Sequence, residues 1–345
     1  MNFLIYLLPF LFLVGITFMT YVSKTNFKSY KAILFFGLLP ALAVAVLSGD
    51  TGTDKASYYT WISNTFNGNM EKVVYEPGFK FLTYALSMIY SSEYFIIPVV
   101  SLITSLFLWL AFSGNKWQLI VFTFLLFPYF YFDMTMNGLR YGLSFAISAY
   151  AARLILEKKF KSFIIVGLVG VSMQYSSIII IILLYLSQVN FKKIHLILLV
   201  VVGYAVFNIL DFGYFDNKVD AYKDLTKPSG LSGVTPLILF TLIFGLNWFL
   251  NKKISKILFI IFALQMASFV LSLSSYSGLR FQSLFIFTLL IFIAFFQELK
   301  TFKKRYLIFF MVIGFISFSL KIRNFMSEEK EVTTPFLPYE FYWER

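Results

Sequence analysis

The sequence predicts an all-α, polytopic integral membrane protein with about 10–12 transmembrane helices, one of them re-entrant or broken. Two observations carry this prediction. Of the 345 residues, 59% are hydrophobic and only 13% are charged, whereas soluble globular proteins carry about 25% charged residues. Long apolar runs also recur along the chain, and each must be helical because water cannot satisfy backbone groups in the bilayer core. β-Barrel strands are short and alternate in polarity, and these runs do not.

The apolar runs define the expected spans. A run at 79–90 is too short to cross a bilayer comfortably. The first long run has neither a basic start nor a small-residue cleavage site, so we interpret it as a span rather than a signal peptide. We expect one membrane domain, 1–345. The runs that we interpret as full spans are 3–22, 31–48, 94–112, 117–133, 138–156, 194–212, 234–251, 257–275, 280–298 and 306–322.

Basic residues predict the side that each loop faces, because cytoplasmic loops are rich in Lys and Arg. Both termini are then expected outside, together with two long polar loops, 49–93 (with short helices) and 213–233, and the tail 323–345. Loops longer than ordinary connections suggest a function. The basic residues that define the cytoplasmic loops are Lys24, Lys28, Lys31, Lys116, Arg153, Lys158, Lys159, Lys161, Lys192, Lys193, Lys252, Lys253, Lys256, Lys300, Lys303, Lys304 and Arg305.

The segment 162–188 is apolar but is interrupted by Gln174-Tyr175-Ser176-Ser177. Basic residues flank it on both sides, so we expect it to enter the membrane and return, bending at the polar residues. Non-helical backbone at that depth is tolerated inside protein or beside a water-filled cavity. The alternative is one ordinary span, with Lys192 and Lys193 reaching back to the opposite interface.

Absent residue types narrow the chemistry. The chain has no cysteine, which excludes disulfides, thiolate nucleophiles and cysteine metal sites. The single histidine, His195, lies beside Lys192 and Lys193, where we interpret it as an interfacial residue. The net charge of +12 would suggest nucleic acid in a soluble protein. Here the basic residues follow the loops, so we expect no nucleic-acid partner.

Arg140 and Arg280 each lie at the outer start of an apolar span, shortly after a glycine. Arginine offers a planar fork that suits phosphate oxygens and stays charged in an apolar setting. Two such residues facing one cavity would clamp a pyrophosphate group. The alternative is that they reach lipid phosphates or pair with Asp133 and Glu76.

Acidic residues near the same boundary are candidate catalytic groups. A carboxylate there could act as a general base or accept hydrogen bonds from sugar hydroxyls. The alternative for Asp50 and Asp54 is a solvated turn, and the alternative for Glu76 is that Glu76-Pro77-Gly78 simply starts a helix. No ligand spacing supports a metal site, and we expect neither a metal nor a cofactor. The four candidates are Asp50, Asp54, Glu76 and Asp133.

Several local patterns occur in an order that resembles one family. On these patterns the chain resembles the EpsG/Wzy type of bacterial polysaccharide polymerases over nearly its whole length. Family members often carry a His-x-Ser-type motif where this chain has Gln174-Tyr175-Ser176-Ser177, so a histidine's role would pass to Tyr175 or a carboxylate, or not be needed. The matching pieces are Gly49-Asp50 with Asp54 and Tyr58, Tyr75-Glu76-Pro77-Gly78-Phe79, Met136-Asn137 with Arg140, Lys158-Lys159, Arg280 and Pro338-Tyr339.

The resemblance implies a GT-C-like glycosyltransferase that polymerises undecaprenyl-pyrophosphate-linked repeat units of O-antigen, capsule or exopolysaccharide. It would act at the outer face of the bacterial cytoplasmic (inner) membrane, with a lipid-linked donor and acceptor and a Wzz-like chain-length regulator as partners. Because no close carboxylate pair is evident, we expect a single inverting, metal-independent displacement. Beside the two arginines, the resemblance implies substrate-binding roles for Asn137, Tyr58, Gln174, Tyr175 and Tyr339.

Rival classes share parts of this pattern. A lipid-linked oligosaccharide flippase or other transporter would be expected to bury charges along a path near mid-membrane, whereas these charges cluster at the outer boundary. A membrane acyltransferase would usually show an embedded catalytic histidine, and His195 is poorly placed for that. An O-antigen ligase uses the same donor, and only the family resemblance favours a polymerase over it.

Overall fold

The computed structural model describes residues 3–22, 29–68, 75–188, 233–251, 255–297, 304–328 and 334–344. Within these ranges the regular elements are helices, apart from one isolated antiparallel bridge between Ser48 and Phe341. The helices in the first half are α1 (Leu4–Val22), α2 (Tyr30–Val46), α3 (Lys55–Phe66), α4 (Pro77–Ser87), α5 (Glu93–Phe112), α6 (Lys116–Asn137) and α7 (Leu139–Leu156). The helices in the second half are α8 (Phe160–Met173), α9 (Ile178–Gln188), α10 (Val234–Asn251), α11 (Lys256–Ser272), α12 (Tyr276–Phe296) and α13 (Lys304–Glu328).

The predicted all-α polytopic membrane fold is confirmed. In the described ranges, the helices long and apolar enough to cross a membrane are Leu4–Tyr21, Glu93–Phe112, Lys116–Asn137, Tyr276–Phe296 and Tyr306–Ser327. Shorter apolar helices are Tyr30–Val46, Phe160–Met173, Tyr175–Gln188, Val234–Leu250 and Lys256–Ser272. The total number of spans stays a prediction. The predicted span 194–212, His195 and all of the predicted loop 213–233 except Gly233 lie outside the described residues.

The predicted interruption of segment 162–188 is confirmed. α8 ends at Met173, and Gln174 then adopts an extended conformation (φ −157°, ψ 123°). A 3₁₀ turn, Tyr175–Ser177, leads into α9. Lys192 and Lys193 lie outside the described residues, so the choice between a re-entrant segment and an ordinary span stays a prediction.

The chain separates into two compact units. The first contains residues 1–178 and 290–345, and the second contains residues 179–289. In the second unit, buried amide and hydroxyl groups join α11 to α12: Gln265 donates to Gln282 over 3.1 Å, and Gln282 donates to Ser272 over 2.9 Å. Such hydrogen bonds hold helices together where water is absent.

Helix α6 forms the centre of the first unit, with 89% of its span buried. The ring of Phe127 stacks on Phe10 of α1 and on Tyr131 within α6. Two π-helical turns interrupt α6, at Phe122–Leu126 and at Asp133–Asn137. Such turns often mark functional sites because they redirect side chains. The second π turn ends α6 directly before α7 begins.

Two glycines allow the backbone to come close at this junction. A Cβ atom at Gly142 of α7 would lie 2.1 Å from the carbonyl oxygen of Met134. Gly52 has a φ of +127°, and a Cβ atom there would lie 2.4 Å from the carbonyl oxygen of Met136. Only glycine fits both positions, since the first lacks room for any side chain and the second also requires a left-handed backbone. The loop before α3 is thereby packed against the end of α6.

The C-terminal segment 334–344 covers the loop between α2 and α3. The amide of Gly49 donates to the carbonyl oxygen of Glu340 over 2.7 Å, and the amide of Tyr342 donates to that of Leu47 over 3.0 Å. Thr334 donates its hydroxyl to the carbonyl oxygen of Gly52 over 2.8 Å. These hydrogen bonds join the C-terminal segment to the loop between α2 and α3 and fix the backbone that leads into α3.

Helix α13 continues beyond the expected end of its span. The hydropathy pattern predicts an end at residue 322, but the helix runs to Glu328. Lys321 therefore lies inside a helix rather than at its edge. Its ammonium group forms an ion pair with Asp133, which compensates the charge and allows the helix to continue.

Candidate functional site

Arg140 and Glu76 form a buried ion pair at the start of α7. Arg140 is the second residue of α7, and Glu76 immediately precedes α4. Arg140 Nη1 donates to Glu76 Oε2 over 2.8 Å, and the two side chains are 12% and 0% exposed. This pairing is the alternative that the sequence left open for Arg140. It joins two segments that lie 64 positions apart.

Aromatic rings enclose the same guanidinium. Its central carbon lies 5.0 Å from the ring centre of Tyr75 and 5.5 Å from that of Trp61. The amide of Arg140 donates to the hydroxyl oxygen of Tyr58 over 3.4 Å. We call Glu76, Tyr58, Trp61 and Tyr75 together the Arg140 cage. Cation–π contacts of this kind stabilise a cation by about 0.5–2 kcal/mol, more when water is excluded.

Two buried polar atoms at the cage lack a partner in the part of the chain that the structure describes. Among the described residues, neither Arg140 Nε nor the hydroxyl of Tyr75 has a hydrogen-bond partner, although both atoms are buried. Burial raises the pKa of Tyr58 and the pKa of Tyr75 above their ordinary value, so both phenols stay protonated. Buried polar atoms without partners are costly, and such sites often await a ligand or water.

Asn137 connects the end of α6 to the start of α3. Its side-chain oxygen accepts hydrogen bonds from the amide of Asp54 over 2.7 Å and from the hydroxyl of Thr53 over 2.8 Å. The carboxylate of Asp54 is half-buried and has no hydrogen-bond partner among the described residues. It lies within electrostatic range of both Tyr58 and Asp133. Asp54, Asn137, Tyr58, Arg140 and Glu76 therefore form one connected cluster.

Asp133 is paired with a lysine that the sequence analysis did not select. The ammonium of Lys321 contacts the carboxylate of Asp133, and these side chains are 16% and 15% exposed. Lys321 Nζ also lies 5.6 Å from the ring centre of Tyr129 and 5.5 Å from that of Phe325. An ionisable residue within an apolar helix is a functional signal in itself, and that signal could have identified Lys321.

Asp50 lies beside a second unselected lysine. Lys55 is 1% exposed, and its ammonium donates to the carbonyl oxygen and the hydroxyl of Ser48 over 3.0 and 2.7 Å. Burial lowers the pKa of Lys55 to about 7, and the charge of Asp50 acts in the opposite direction. Burial and the neighbouring Asp50 raise the pKa of Tyr59. Asp50 therefore belongs to a separate group at the covered loop.

The interruption after α8 lies close to the start of α4. A Cβ atom at Gly78 would lie 2.2 Å from the hydroxyl of Ser172, which shows how closely the two elements approach. Tyr175 lies within electrostatic range of Glu76. Gln174 donates to the hydroxyl of Ser176 over 2.9 Å. The structure thus brings Tyr175 toward the Arg140 cage, while the side-chain hydrogen bond of Gln174 is local.

Two further predicted substrate-binding residues are Tyr339 and Arg280. The hydroxyl of Tyr339 donates to the carbonyl oxygen of Val44 over 2.8 Å, where it anchors the C-terminal segment. Arg280 is exposed in the first turns of α12 and belongs to the second unit, whereas Arg140 belongs to the first. A cavity shared by the two arginines stays a prediction, as do the substrate-binding roles of Tyr339 and Gln174.

The acidic side chains in the described ranges do not form a set of metal ligands. In the described ranges, no group of three or more His, Asp or Glu side chains could hold one metal ion. The carboxylates of Glu76 and Asp133 instead contact Arg140 and Lys321. The expectation of a metal-independent reaction stays a prediction.

The chain has a family assignment over nearly its whole length. The model of the EpsG family matches residues 30–341. This chain belongs to the EpsG family. The match runs from α2 to the C-terminal segment, and so includes the Arg140 cage, Asp54, Asn137 and Lys321. A search of curated proteins and a search of solved structures found no match.

Family membership supports a broad function. The EpsG family assignment indicates a polysaccharide polymerase-type role, with a glycosyltransferase-like activity. The apolar helices make the chain a multi-pass membrane protein.

Proposed function

We propose that this EpsG-family protein is a membrane glycosyltransferase that polymerises undecaprenyl-pyrophosphate-linked oligosaccharide repeat units. We place the reaction at the outer face of the bacterial cytoplasmic membrane, the side that the distribution of basic residues predicts for the Arg140 end of α7. The observation that carries the proposal is a guanidinium fixed in a cage, next to carboxylates and aromatic rings, at one end of a buried helix core.

The Arg140 cage suits a developing negative charge. Glu76 contacts one nitrogen of the guanidinium, Nη1, while Nε–H has no acceptor among the described residues. A pyrophosphate oxygen would supply that acceptor. Donors that are already oriented in a water-poor site stabilise a leaving group strongly, because they need no rearrangement when charge develops. Arginine is the residue best suited to this contact with phosphate.

The reaction that we propose is one displacement at an anomeric carbon. The bond between that carbon and the pyrophosphate oxygen of the donor breaks, and the electron pair leaves with the oxygen. A hydroxyl oxygen at the non-reducing end of the acceptor forms the new bond and loses its proton to a carboxylate. The products are a lengthened glycan on the acceptor's carrier and undecaprenyl pyrophosphate.

Asp54 is the carboxylate best placed to accept that proton. Glu76 is engaged by Arg140 and Asp133 by Lys321, whereas the Asp54 carboxylate has no hydrogen-bond partner among the described residues. Asn137 fixes its backbone through a 2.7 Å hydrogen bond. A base must lie within hydrogen-bond reach of the hydroxyl it activates, and a half-buried carboxylate beside the Arg140 cage meets that condition.

The test replaces Arg140 by lysine in a strain that lacks the chromosomal copy. Lysine keeps the charge but loses the fork, so we expect long-chain glycan to fall about 100-fold and single lipid-linked repeat units to accumulate. The matched control is Arg153→Lys, at the other end of the same helix, which should leave the glycan ladder unchanged. Gel analysis of the glycans and immunoblots of the membranes give both readouts.

Two outcomes would contradict the proposal. A normal ladder from Arg140→Lys at the wild-type protein level would remove the role of the guanidinium. Long-chain glycan that persists in the deletion strain would remove the polymerase function altogether. Asp54→Asn should also abolish the ladder, and a normal ladder from that variant would exclude Asp54 as the proton acceptor.

A further inference from the structure

A second cation in the same unit repeats the surroundings of Arg140. Arg140 is paired with Glu76 and lies against the rings of Trp61 and Tyr75. Lys321 is paired with Asp133, and its Nζ lies within 5.6 Å of the ring centres of two further aromatic residues, Tyr129 and Phe325. Each cation thus has one carboxylate and two rings, and each keeps a small exposed fraction, 12% for Arg140 and 16% for Lys321.

The partners of the two cations are linked through the second π turn of α6 and its contact with Asp54. Asp133 begins the second π turn of α6, and Asn137 ends it. The amide of Gly138 donates back to the carbonyl oxygen of Asp133 over 2.8 Å, directly before Arg140. The charge of Asp54 acts on Tyr58, which contacts Arg140, and on Asp133, which contacts Lys321. One short stretch of chain therefore presents both ion pairs to the same carboxylate.

A purely structural role explains this arrangement poorly. Ionised side chains in membrane helices are costly, and neutral side chains could join α13 to α6 at lower cost. Both members of this pair keep about 15% of their side-chain surface exposed, which leaves the ammonium open to one further contact. A pyrophosphate carries more negative charge than one guanidinium can neutralise.

We propose that Lys321 is a second anion-binding residue, which together with Arg140 forms a two-cation subsite for the pyrophosphate group of the lipid-linked substrate. This inference rests on the proposed function for the identity of the anion. Asp133 positions the ammonium in the empty subsite and shares it with a phosphate oxygen when the substrate binds. Lys321 thus supplies a second cation from within the first unit itself.

The test uses the detergent-purified full-length protein and inorganic pyrophosphate as the probe. Pyrophosphate should raise the unfolding temperature of the wild type in a saturable manner, whereas sodium sulfate at equal ionic strength should not. In Lys321→Met/Asp133→Asn, the pair is replaced by neutral groups of similar size, so no unpaired charge is left buried. We expect this double variant to remain folded and to bind pyrophosphate at least 10-fold more weakly.

A matched control tests whether any lysine near an aromatic ring would affect pyrophosphate binding. Lys116 lies at the other end of α6, with Nζ 4.1 Å from the ring centre of Tyr21. Lys116→Met should bind pyrophosphate as the wild type does. Lys321→Arg, which keeps the charge, should lose less than 10-fold. Lys116→Met tests whether the position of the lysine matters, and Lys321→Arg tests whether its positive charge is sufficient.

Each remaining outcome has a defined meaning. Wild-type affinity in the double variant, or no pyrophosphate binding by the wild type, would overturn the role of Lys321. If Arg140→Lys then still fails to make long-chain glycan, the proposed function survives while the two-cation subsite does not. If the double variant loses pyrophosphate binding while Arg140→Lys keeps a normal ladder, the Lys321 site stands and the proposed role of Arg140 falls.

Discussion

The two ends of helix α7 each carry an arginine paired with a glutamate, but the two pairs differ in kind. Arg153 and Glu157 are four positions apart on one helix, with side chains 18% and 34% exposed. Lys159 also contacts Glu157, and hydrogen bonds from Lys159 and Arg153 lower the pKa of that carboxyl. Arg140 and Glu76 lie on different elements, 64 positions apart, and their side chains are only 12% and 0% exposed.

The comparison shows that similar residues can serve different physical roles. An exposed i,i+4 pair contributes about 0.3–0.5 kcal/mol, since water and salt screen it. A buried pair between elements is more demanding, because removing one partner leaves the other charge unpaired in a water-poor environment. We therefore expect the Arg153–Glu157 pair to tolerate change, although Arg153 also donates to the carbonyl oxygen of Leu110 in α5. The Arg140–Glu76 pair depends on the arrangement of several elements.

The largest expected difference in the free energy of unfolding comes from neutralising the carboxylate at each end of α7, Glu76 or Glu157. Glu76→Gln leaves the buried guanidinium of Arg140 without its counter-charge, so we expect a loss of about 3–5 kcal/mol in the free energy of unfolding. Glu157→Gln should lose about 0.5 kcal/mol or less. Unfolding by SDS titration in mixed micelles would measure both. Equal losses from the two variants would show that the two ends of α7 do not differ.

Backbone packing gives the next effect. Gly142→Ala puts a methyl group 2.1 Å from the carbonyl oxygen of Met134, so α7 must move away from α6. We expect a destabilisation of about 1–3 kcal/mol, together with loss of the glycan ladder because Arg140 moves with the helix. Gly15→Ala is the matched control, since nothing lies within 4 Å of its new methyl group. A wild-type unfolding curve for Gly142→Ala would contradict the close packing.

The smallest effect, when it is counted per pH unit, concerns a lysine, which unlike arginine can lose its charge. The pKa of Lys55 is about 7 in the folded chain against 10.5 ordinarily. Between those values the unfolded chain binds one more proton than the folded chain, so the free energy of unfolding should rise with pH. The slope approaches about 1.4 kcal/mol per pH unit.

Unfolding midpoints between pH 7.5 and 9.5 would measure this dependence. Lys55→Met removes the titrating group and should flatten the curve by that slope, while Arg153→Lys, as the control, should keep it. Identical pH profiles for the wild type and Lys55→Met would show that the ammonium keeps its charge despite burial.

The membrane fold and the interruption after α8 could be predicted because both follow from local composition. The interruption appears as polar residues at Gln174–Ser177 within an apolar run, and the helices do separate there. Arg140 could be selected because the sequence alone shows a charged residue at the boundary of an apolar run. Its pairing with Glu76 was one of two open alternatives.

Other parts of the candidate site could not be predicted. Lys55 resembles a solvated residue at a helix start, and its burial arises when the C-terminal segment covers the loop before α3. Trp61 carries no pattern that directs it to Arg140. Lys321 gave a usable signal, because it is an ionisable residue in an apolar stretch. Its contact with Asp133 joins residues that are 188 positions apart and arises only from the tertiary fold.

By itself, the sequence determined that this chain is a helical membrane protein, where its apolar runs lie and which charged residues stand out from them. These properties are local, because hydrophobic transfer and helix formation depend on neighbouring residues. Only the tertiary structure decided which charges meet. The pairs Arg140–Glu76 and Lys321–Asp133 join distant segments, and their strength comes from the exclusion of water, which a one-dimensional pattern does not specify.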